Sequence, residues 1–371
     1  MNKKLVAFAV ASAFALPLAA QAQTANVTMY GRANVDMEVV SGTQANGTNP
    51  HVFRVSSNSS RWGVRGTESL GGGLNAVFQL ESSISWDAGG GTLAGRESFV
   101  GLQGSWGTFK MGNFLTPFDD VHCIFCNPHQ LGSSIMATSA IWGQGAASTG
   151  AAGGFDVRFG NSVRWDSPVW GGVNASVQYS TSEGSPVQNS GMYSGAVFYN
   201  NGPIQLGGSY QGNEDLRGRN LDDYAWTIAG SYNFGFIKPA LVYEHEKYDT
   251  PTGDLKHDFW GVAATVPFGA GSFYGFYGHA GEGKGSAANG TRVFGSVKGS
   301  DTEANQWELS YGYALSKRTM VYAGYVKIDN KCNAAYTFNI NPYSGAATGT
   351  KPTSGCWGKP EGYVVGMWHN F

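Results

Sequence analysis

Val173-Asn174-Ala175-Ser176-Val177-Gln178-Tyr179-Ser180 decides the fold class, because its apolar and polar residues alternate one by one. A strand sends successive side chains to opposite faces, so Val173, Ala175, Val177 and Tyr179 share one face and the polar four share the other. The pattern recurs. Leu74, Ala76, Phe78 and Leu80 oppose Asn75, Gln79 and Glu81; Trp226, Ile228, Tyr232 and Phe234 oppose Thr227, Ala229, Ser231 and Asn233. Further on, Trp307, Leu309, Tyr311 and Tyr313 oppose Gln306, Glu308, Ser310 and Gly312. A soluble sandwich also alternates, but here the polar set of Asn, Ser, Thr, Gln and Gly, with scattered Arg and Glu, suits a water-filled interior. The apolar set is aromatic towards strand ends, as the interfacial girdles of a membrane barrel require. Lipid cannot satisfy an open sheet edge, so such a sheet has to close.

Composition agrees. Charged residues are 13% of the 371, aromatics another 13%, and 55 residues are Gly; a soluble protein of this size carries about a quarter charged residues. Lys3 and Lys4 precede an uncharged apolar stretch over residues 5–18, and Ala20-Gln21-Ala22 supplies a small-x-small cleavage site. Residues 1–22 are therefore expected to be a signal peptide, with one barrel domain over residues 23–371. A retained anchor is the alternative, but the stretch is too short to span comfortably. Removing 22 of 371 residues leaves 349, and losing two lysines takes the net charge from −2 to −4. That balance argues against a nucleic-acid partner. Beyond the signal, no apolar run approaches the ~18 residues of a membrane helix.

The connections alternate in length. Short turns fall at residues 69–72, 200–203, 267–270 and 315–318; long polar or Gly-rich stretches fall at 41–58, 114–154, 211–223, 281–303 and 329–360. Short turns on one side and long loops on the other are the pattern of a transmembrane barrel. About 16 strand-like segments leave roughly 22 residues per strand and loop, against the ~9–11 needed to span.

Several segments resemble the Gram-negative porin family of Neisseria and Burkholderia-like β-proteobacteria. They are Val27-Thr-Met-Tyr-Gly31, Ser-Arg-Trp-Gly-Val-Arg-Gly-Thr-Glu-Ser-Leu-Gly-Gly-Gly-Leu over 60–74, and Ser98-Phe-Val-Gly-Leu102. Asn161-Ser-Val-Arg-Trp-Asp-Ser-Pro168, Leu315-Ser-Lys-Arg-Thr319 and Val365-Gly-Met-Trp-His-Asn-Phe371 follow in the family's order. The resemblance implies an all-β, 16-stranded antiparallel transmembrane β-barrel, trimeric, with a long third loop folded into the lumen. It implies residence in the outer membrane, among lipid and lipopolysaccharide, and passive passage of small hydrophilic solutes and ions, to which a basic excess at the constriction would add a mild anion preference. It also implies that the final aromatic strand ending at Phe371 is read by the barrel assembly machinery. A channel selective for organic anions or a nutrient is the alternative within transport; a secreted β-sandwich adhesin or lectin is the alternative outside it.

A channel has no catalytic step, and no phosphate loop, nucleophile arrangement, cofactor motif or metal motif points to an enzyme. Selectivity is set by fixed charges at the narrowest point. With Trp62 and Val64 facing lipid, Arg61 and Arg65 point inward, and the same alternation turns Glu81 inward opposite Leu80. Arg158 and Arg164 share a face with Ser162, opposite Asn161, Val163 and Trp165. By position in the matched motifs, Arg61, Arg96 and Arg158 fall where the family carries its basic cluster. For Arg96, strict alternation instead groups it with Val100 and Leu102. Asp119 and Asp120, after Pro117, are the expected acidic side of the constriction, or else an ordinary solvated turn.

His122, Cys123, Cys126 and His129 fall within eight residues of the 114–154 stretch. Haem attachment requires His directly after the second Cys, and Asn127 stands there instead. Metal ligation is one reading; a small disulfide between Cys123 and Cys126, formed in an oxidising compartment, is the favoured one. Cys332 and Cys356 bracket the last long loop and are expected to pair. Four cysteines allow three connectivities.

Overall fold

The computed structural model describes residues 26–42, 48–49, 51–129, 134–142, 154–181, 183, 190–338, 355–356 and 358–371. The expected signal peptide lies outside them. The first wall strands are β1 (Asn26–Ser41), β2 (Val52–Ser57), β3 (Arg61–Gly71), β4 (Leu74–Ser83), β5 (Ser98–Gly104), β6 (Gly107–Leu115) and β7 (Arg158–Asp166). β8 (Val173–Thr181), β9 (Gly191–Asn201), β10 (Ile204–Glu214), β11 (Asp223–Tyr232), β12 (Lys238–Thr250), β13 (Gly253–Phe268) and β14 (Gly271–Ala280) continue it. A small separate hairpin, β15 (Arg292–Val293) with β16 (Ser296–Val297), decorates the next connection. β17 (Ala304–Ser316), β18 (Thr319–Asn330) and β19 (Glu361–Asn370) complete the wall.

Every wall pairing is antiparallel, and β19 returns to β1 in a ladder from Arg32↔Asn370 to Ser41↔Glu361. The sheet is therefore closed. β2 and β3 are two halves of one interrupted stave, since β1 pairs with β2 from Val35↔Ser57 to Val40↔Val52 and with β3 from Asn26↔Thr67 to Arg32↔Arg61. Counted as one, they give a barrel of sixteen staves. Sequence reading places residues 41–58 in a loop. The structure instead draws Val52–Ser57 into the wall, with Phe53 and Val55 on the outer surface. Ser59, at a φ of 50°, makes the break, and Asn34 N–H donates to Ser60 Oγ at 2.9 Å to hold it.

The alternation has the expected sense. Trp307 and Leu309 stay 52% and 59% exposed on the outer face, while Gln306, Glu308 and Ser310 between them are 0–5% exposed and face inward. The short turns fall where expected, and Gly71 and Gly72, at φ 87° and 60°, adopt the left-handed backbone that the β3–β4 turn requires. At the seam, Phe371 N–H donates to Gly31 O and Gly31 N–H to Phe371 O, both at 3.0 Å.

The apolar core lies inside the barrel. Phe118, Phe125, Trp142 and Phe155 come from the long β6–β7 connection, and they cluster with inward Ala225, Tyr274 and Phe276 of the wall. Phe118 stacks on Trp142 at 5.6 Å and Phe125 meets the same indole edge-on at 5.5 Å.

Candidate functional site: the charged inner wall

The β6–β7 connection starts with a single helical turn, Pro117–Asp120, whose first N–H groups would otherwise be unpaired. Thr116 caps it by accepting from Asp119 N–H, and Pro117 stands where a missing N–H costs nothing. A 3-10 turn, Val121–Ile124, follows. The segment bonds to inward side chains across the wall. Phe118 N–H donates to Ser194 Oγ of β9 at 3.1 Å, and Tyr274 OH of β14 donates to Phe125 O at 2.6 Å. Asn127 Nδ2 donates to Glu308 Oε2 and Ser310 Oγ of β17, and Trp368 Nε1 of β19 donates to His129 O at 3.0 Å.

The basic residues gather on the wall from β1 to β7. Arg96 Nε donates to Glu81 Oε1 at 2.7 Å, and Arg61 Nη1 lies 3.8 Å from the same oxygen. Arg158 Nε lies 3.6 Å from Glu97 Oε1, a carboxylate already accepting from Leu115 N–H. Arg32, which sequence reading missed, pairs in register with Arg61 and lies with Arg61 and Arg158 in the field of Arg96. The signal was present: Val27 and Met29 face outward, so Thr28, Tyr30 and Arg32 face inward.

Arg96 does not follow the parity of β5 because it precedes that strand. Its N–H donates to Glu81 O, and the backbone enters the ladder only at Ser98. Arg158 likewise does not owe its place to parity, since the β6–β7 register shifts between Gly112 and Phe114, opposite Asn161 at φ 51°. Arg65 points inward as expected, with its guanidinium over the Tyr30 ring at 5.0 Å.

Arg164 does something else. It donates to Asp120 Oδ2 at 2.5 Å, to Asp166 Oδ1 at 2.7 Å and to Leu115 O at 3.0 Å, tying the start of the inward segment to the wall. Asp120 is thus matched to Arg164 rather than standing opposite the arginine cluster. Burial pushes the Asp120 carboxyl up to about 6, with Arg164 opposing. Burial and the hydrogen-bonded Asp156 hold Asp119 well above the usual carboxylate range. Asp120 is committed to Arg164 through Oδ2, while its side chain stays 37% exposed.

Cys332 and Cys356 are joined, as expected. Cys123 and Cys126 are not: both are thiols, which corrects the expected second disulfide. The 3-10 turn and the Cys126 N–H bond to His122 O at 2.8 Å place the two side chains one turn apart, where the thiols meet through a hydrogen bond. The histidines beside them are engaged elsewhere. His122 Nε2 bonds Thr138 Oγ1 and its ring lies 4.7 Å from Trp142; His129 bonds Ser310 and Ser272 through its two ring nitrogens. The two His and two Cys are not drawn into one ligand set.

A closed sixteen-stave barrel with a charged inner wall has close relatives. A family model described as Gram-negative porin matches residues 7–333. The chain belongs to the Gram-negative porin family. Outer membrane porin protein 32 of Delftia acidovorans is 31% identical over 341 residues, covering 89% of this porin and 90% of that protein. The major outer membrane protein P.IB of Neisseria meningitidis serogroup A is 27% identical, covering 88% and 94%. An anion-selective porin from Comamonas acidovorans superposes with a TM-score of 0.74 at 25% identity, over 94% of this chain and 100% of that one. This porin is accordingly an outer-membrane protein, a water-filled barrel for passive diffusion of small hydrophilic solutes and ions.

Proposed function

We propose that the channel prefers anions, that Arg32, Arg61, Arg96 and Arg158 set that preference, and that the β6–β7 segment narrows the lumen beside them. The single observation behind this reading is the charge count at the cluster. Four guanidiniums share two carboxylates, Glu81 and Glu97, while Asp119 and Asp120 are occupied by Asp156 and Arg164. The resulting positive field, focused by the low-dielectric walls, concentrates anions in the channel. The likeness to an anion-selective porin supports it. The barrel acts as a passive pore rather than as an enzyme.

The reading extends to a homotrimer, since a structural neighbour, the outer membrane protein OmpT of Vibrio cholerae, is described in a trimer form. It includes removal of residues 1–22 on export, recognition of the Phe371 strand by the assembly machinery, and an outer surface bathed in lipid and lipopolysaccharide. Reversal potentials in asymmetric KCl test it. Anion preference that falls when Arg61 and Arg158 are replaced by Gln supports the assignment; an unchanged preference refutes it.

A further inference from the structure

Towards the short-turn end of the barrel, beyond the arginine cluster, the inner wall holds a cavity of about 390 Å³. Arg65 lies in it, four residues past Arg61 on β3 and so about 13 Å further along the strand. Its register partners are Thr28 on β1 and Gln79 on β4. Phe99, Gln103 and Lys110 line the far side.

Arg65 differs from the other lumen arginines of β3 to β7. Arg61 and Arg96 face Glu81, Arg158 faces Glu97, and Arg164 holds Asp120 and Asp166. Among the described residues, no carboxylate oxygen lies within ion-pair distance of Arg65, and its side chain is exposed to the cavity. Its platform is fixed: the Tyr30 ring lies beneath the guanidinium, and Tyr30 OH donates to Glu81 Oε2 at 3.0 Å. The ring contact uses none of the guanidinium N–H groups, and that planar fork matches a carboxylate. Lys110 is already committed, 3.0 Å from Asp166 and over the Phe99 ring. The cavity, which Asp166 also lines with its charge matched by Lys110 and Arg164, therefore offers one uncommitted guanidinium, neutral amide and hydroxyl groups, and an aromatic wall. It is also larger than a halide needs.

We propose that this cavity is a second anion station, on the short-turn side of the arginine cluster, which takes small organic carboxylates through the Arg65 guanidinium. The proposal rests on the reading of the protein as an anion-preferring channel and names the solute class that pauses in it. A carboxylate leaving the cluster meets a bidentate partner; the apolar body of the solute packs against Phe99.

The test uses single-channel recording of the full barrel in planar bilayers, with benzoate added on the short-turn side and benzyl alcohol as the neutral counterpart. Benzoate should interrupt the chloride current in a concentration-dependent way, and benzyl alcohol should not. Arg65→Gln should weaken the benzoate block about tenfold, the loss of one charge-assisted fork. Arg65→Lys separates a docking site from a mere field. It should restore the chloride reversal potential, because the charge returns, but not the block, because the fork does not. Absence of block in the unaltered channel, equal block by benzyl alcohol, or full rescue of the block by Lys overturns the station. A channel without anion preference overturns the underlying reading instead. Both variants conduct only if the barrel folds, so conductance itself controls for assembly.

Discussion

Arg32 on β1 stands directly opposite Arg61 on β3 in the sheet register, so two guanidiniums lie side by side on the inner wall. Like charges facing each other across strands destabilise a sheet. Carboxylate pairing offers little relief, since Arg32 Nε donates to the amide oxygen of Asn370 and Arg61 is 3.8 Å from Glu81. Such a pair serves the field rather than the fold. Arg32→Gln is therefore expected to leave the barrel as stable as before, or up to ~1 kcal/mol more stable, while lowering anion preference. Thermal unfolding in detergent and reversal potentials check the two halves separately.

The same field sets a salt dependence. A unit charge ~5 Å from a passing ion is worth about 0.8 kcal/mol in water, roughly fourfold in local ion concentration. Replacing Arg61 and Arg158 together should shift the reversal potential towards cations. The shift should shrink as salt rises from ~0.1 M to 1 M, where the screening length falls from ~10 Å to ~3 Å.

Asp120→Asn removes the charged partner that Arg164 grips at 2.5 Å. Losing a charge-assisted contact beside a wet lumen costs roughly 1–3 kcal/mol. The start of the inward segment should loosen, and the lumen gains net positive charge although Arg164 keeps Asp166. Noisier open-channel current and a stronger anion preference are the expected readouts. A quiet current would show that the segment's remaining bonds, those to Ser194, Tyr274, Glu308, Ser310 and Trp368 among them, suffice to hold it.

Acid should loosen the same segment by another route. Burial lowers the His122 imidazole to about 4, against 6.5 for the free side chain. A depressed histidine binds its proton less readily in the docked state than in the undocked one. Its contribution is therefore complete above pH 6.5 and is lost as pH falls through about 4. Trp142, 4.7 Å from the imidazole, reports it: an emission change over that window, absent in His122→Asn, is expected.

Alkylation of the unreduced, unfolded chain should label Cys123 and Cys126 and spare Cys332 and Cys356. Reduction should expose all four. The Cys332–Cys356 bond closes a loop with a sequence separation of 24, which stabilises by about 3 kcal/mol in the chain-entropy picture.

The wall was legible because lipid outside and water inside impose opposite chemistries on successive residues, and Val173–Ser180 or Ala304–Tyr313 carries that contrast without interruption. Arg65 and Glu81 followed from parity alone. Parity fails wherever the backbone slips a residue, as at Asn161 between Arg158 and Arg164, or where the chain has yet to enter the ladder, as at Arg96. The division of β2 from β3 depends on Ser59 adopting a left-handed backbone, which its residue type does not announce. Least legible were the pairings of the inward segment. Asp120 with Arg164 and Asp119 with Asp156 join residues 44 and 37 positions apart, so only the folded lumen shows that both acids are occupied. Cys123 and Cys126 were misread because proximity in sequence suggested a bond that the short turn does not make.

The ladder between β1 and β19 joins residues more than 300 positions apart, Arg32 with Asn370 among them. Such long-range pairing is slow to form, because so much loop entropy is lost before the contact is gained. Until residues 361–370 dock, strands at both ends of the growing sheet present unpaired N–H and C=O groups, which are templates for pairing with other chains. The seam thus makes completion all-or-none: a chain halted a strand short has two adhesive edges in place of none. Assembly therefore has to shield the nascent edges, and a lesion confined to β19 should appear as aggregation and proteolysis before it appears as altered conductance.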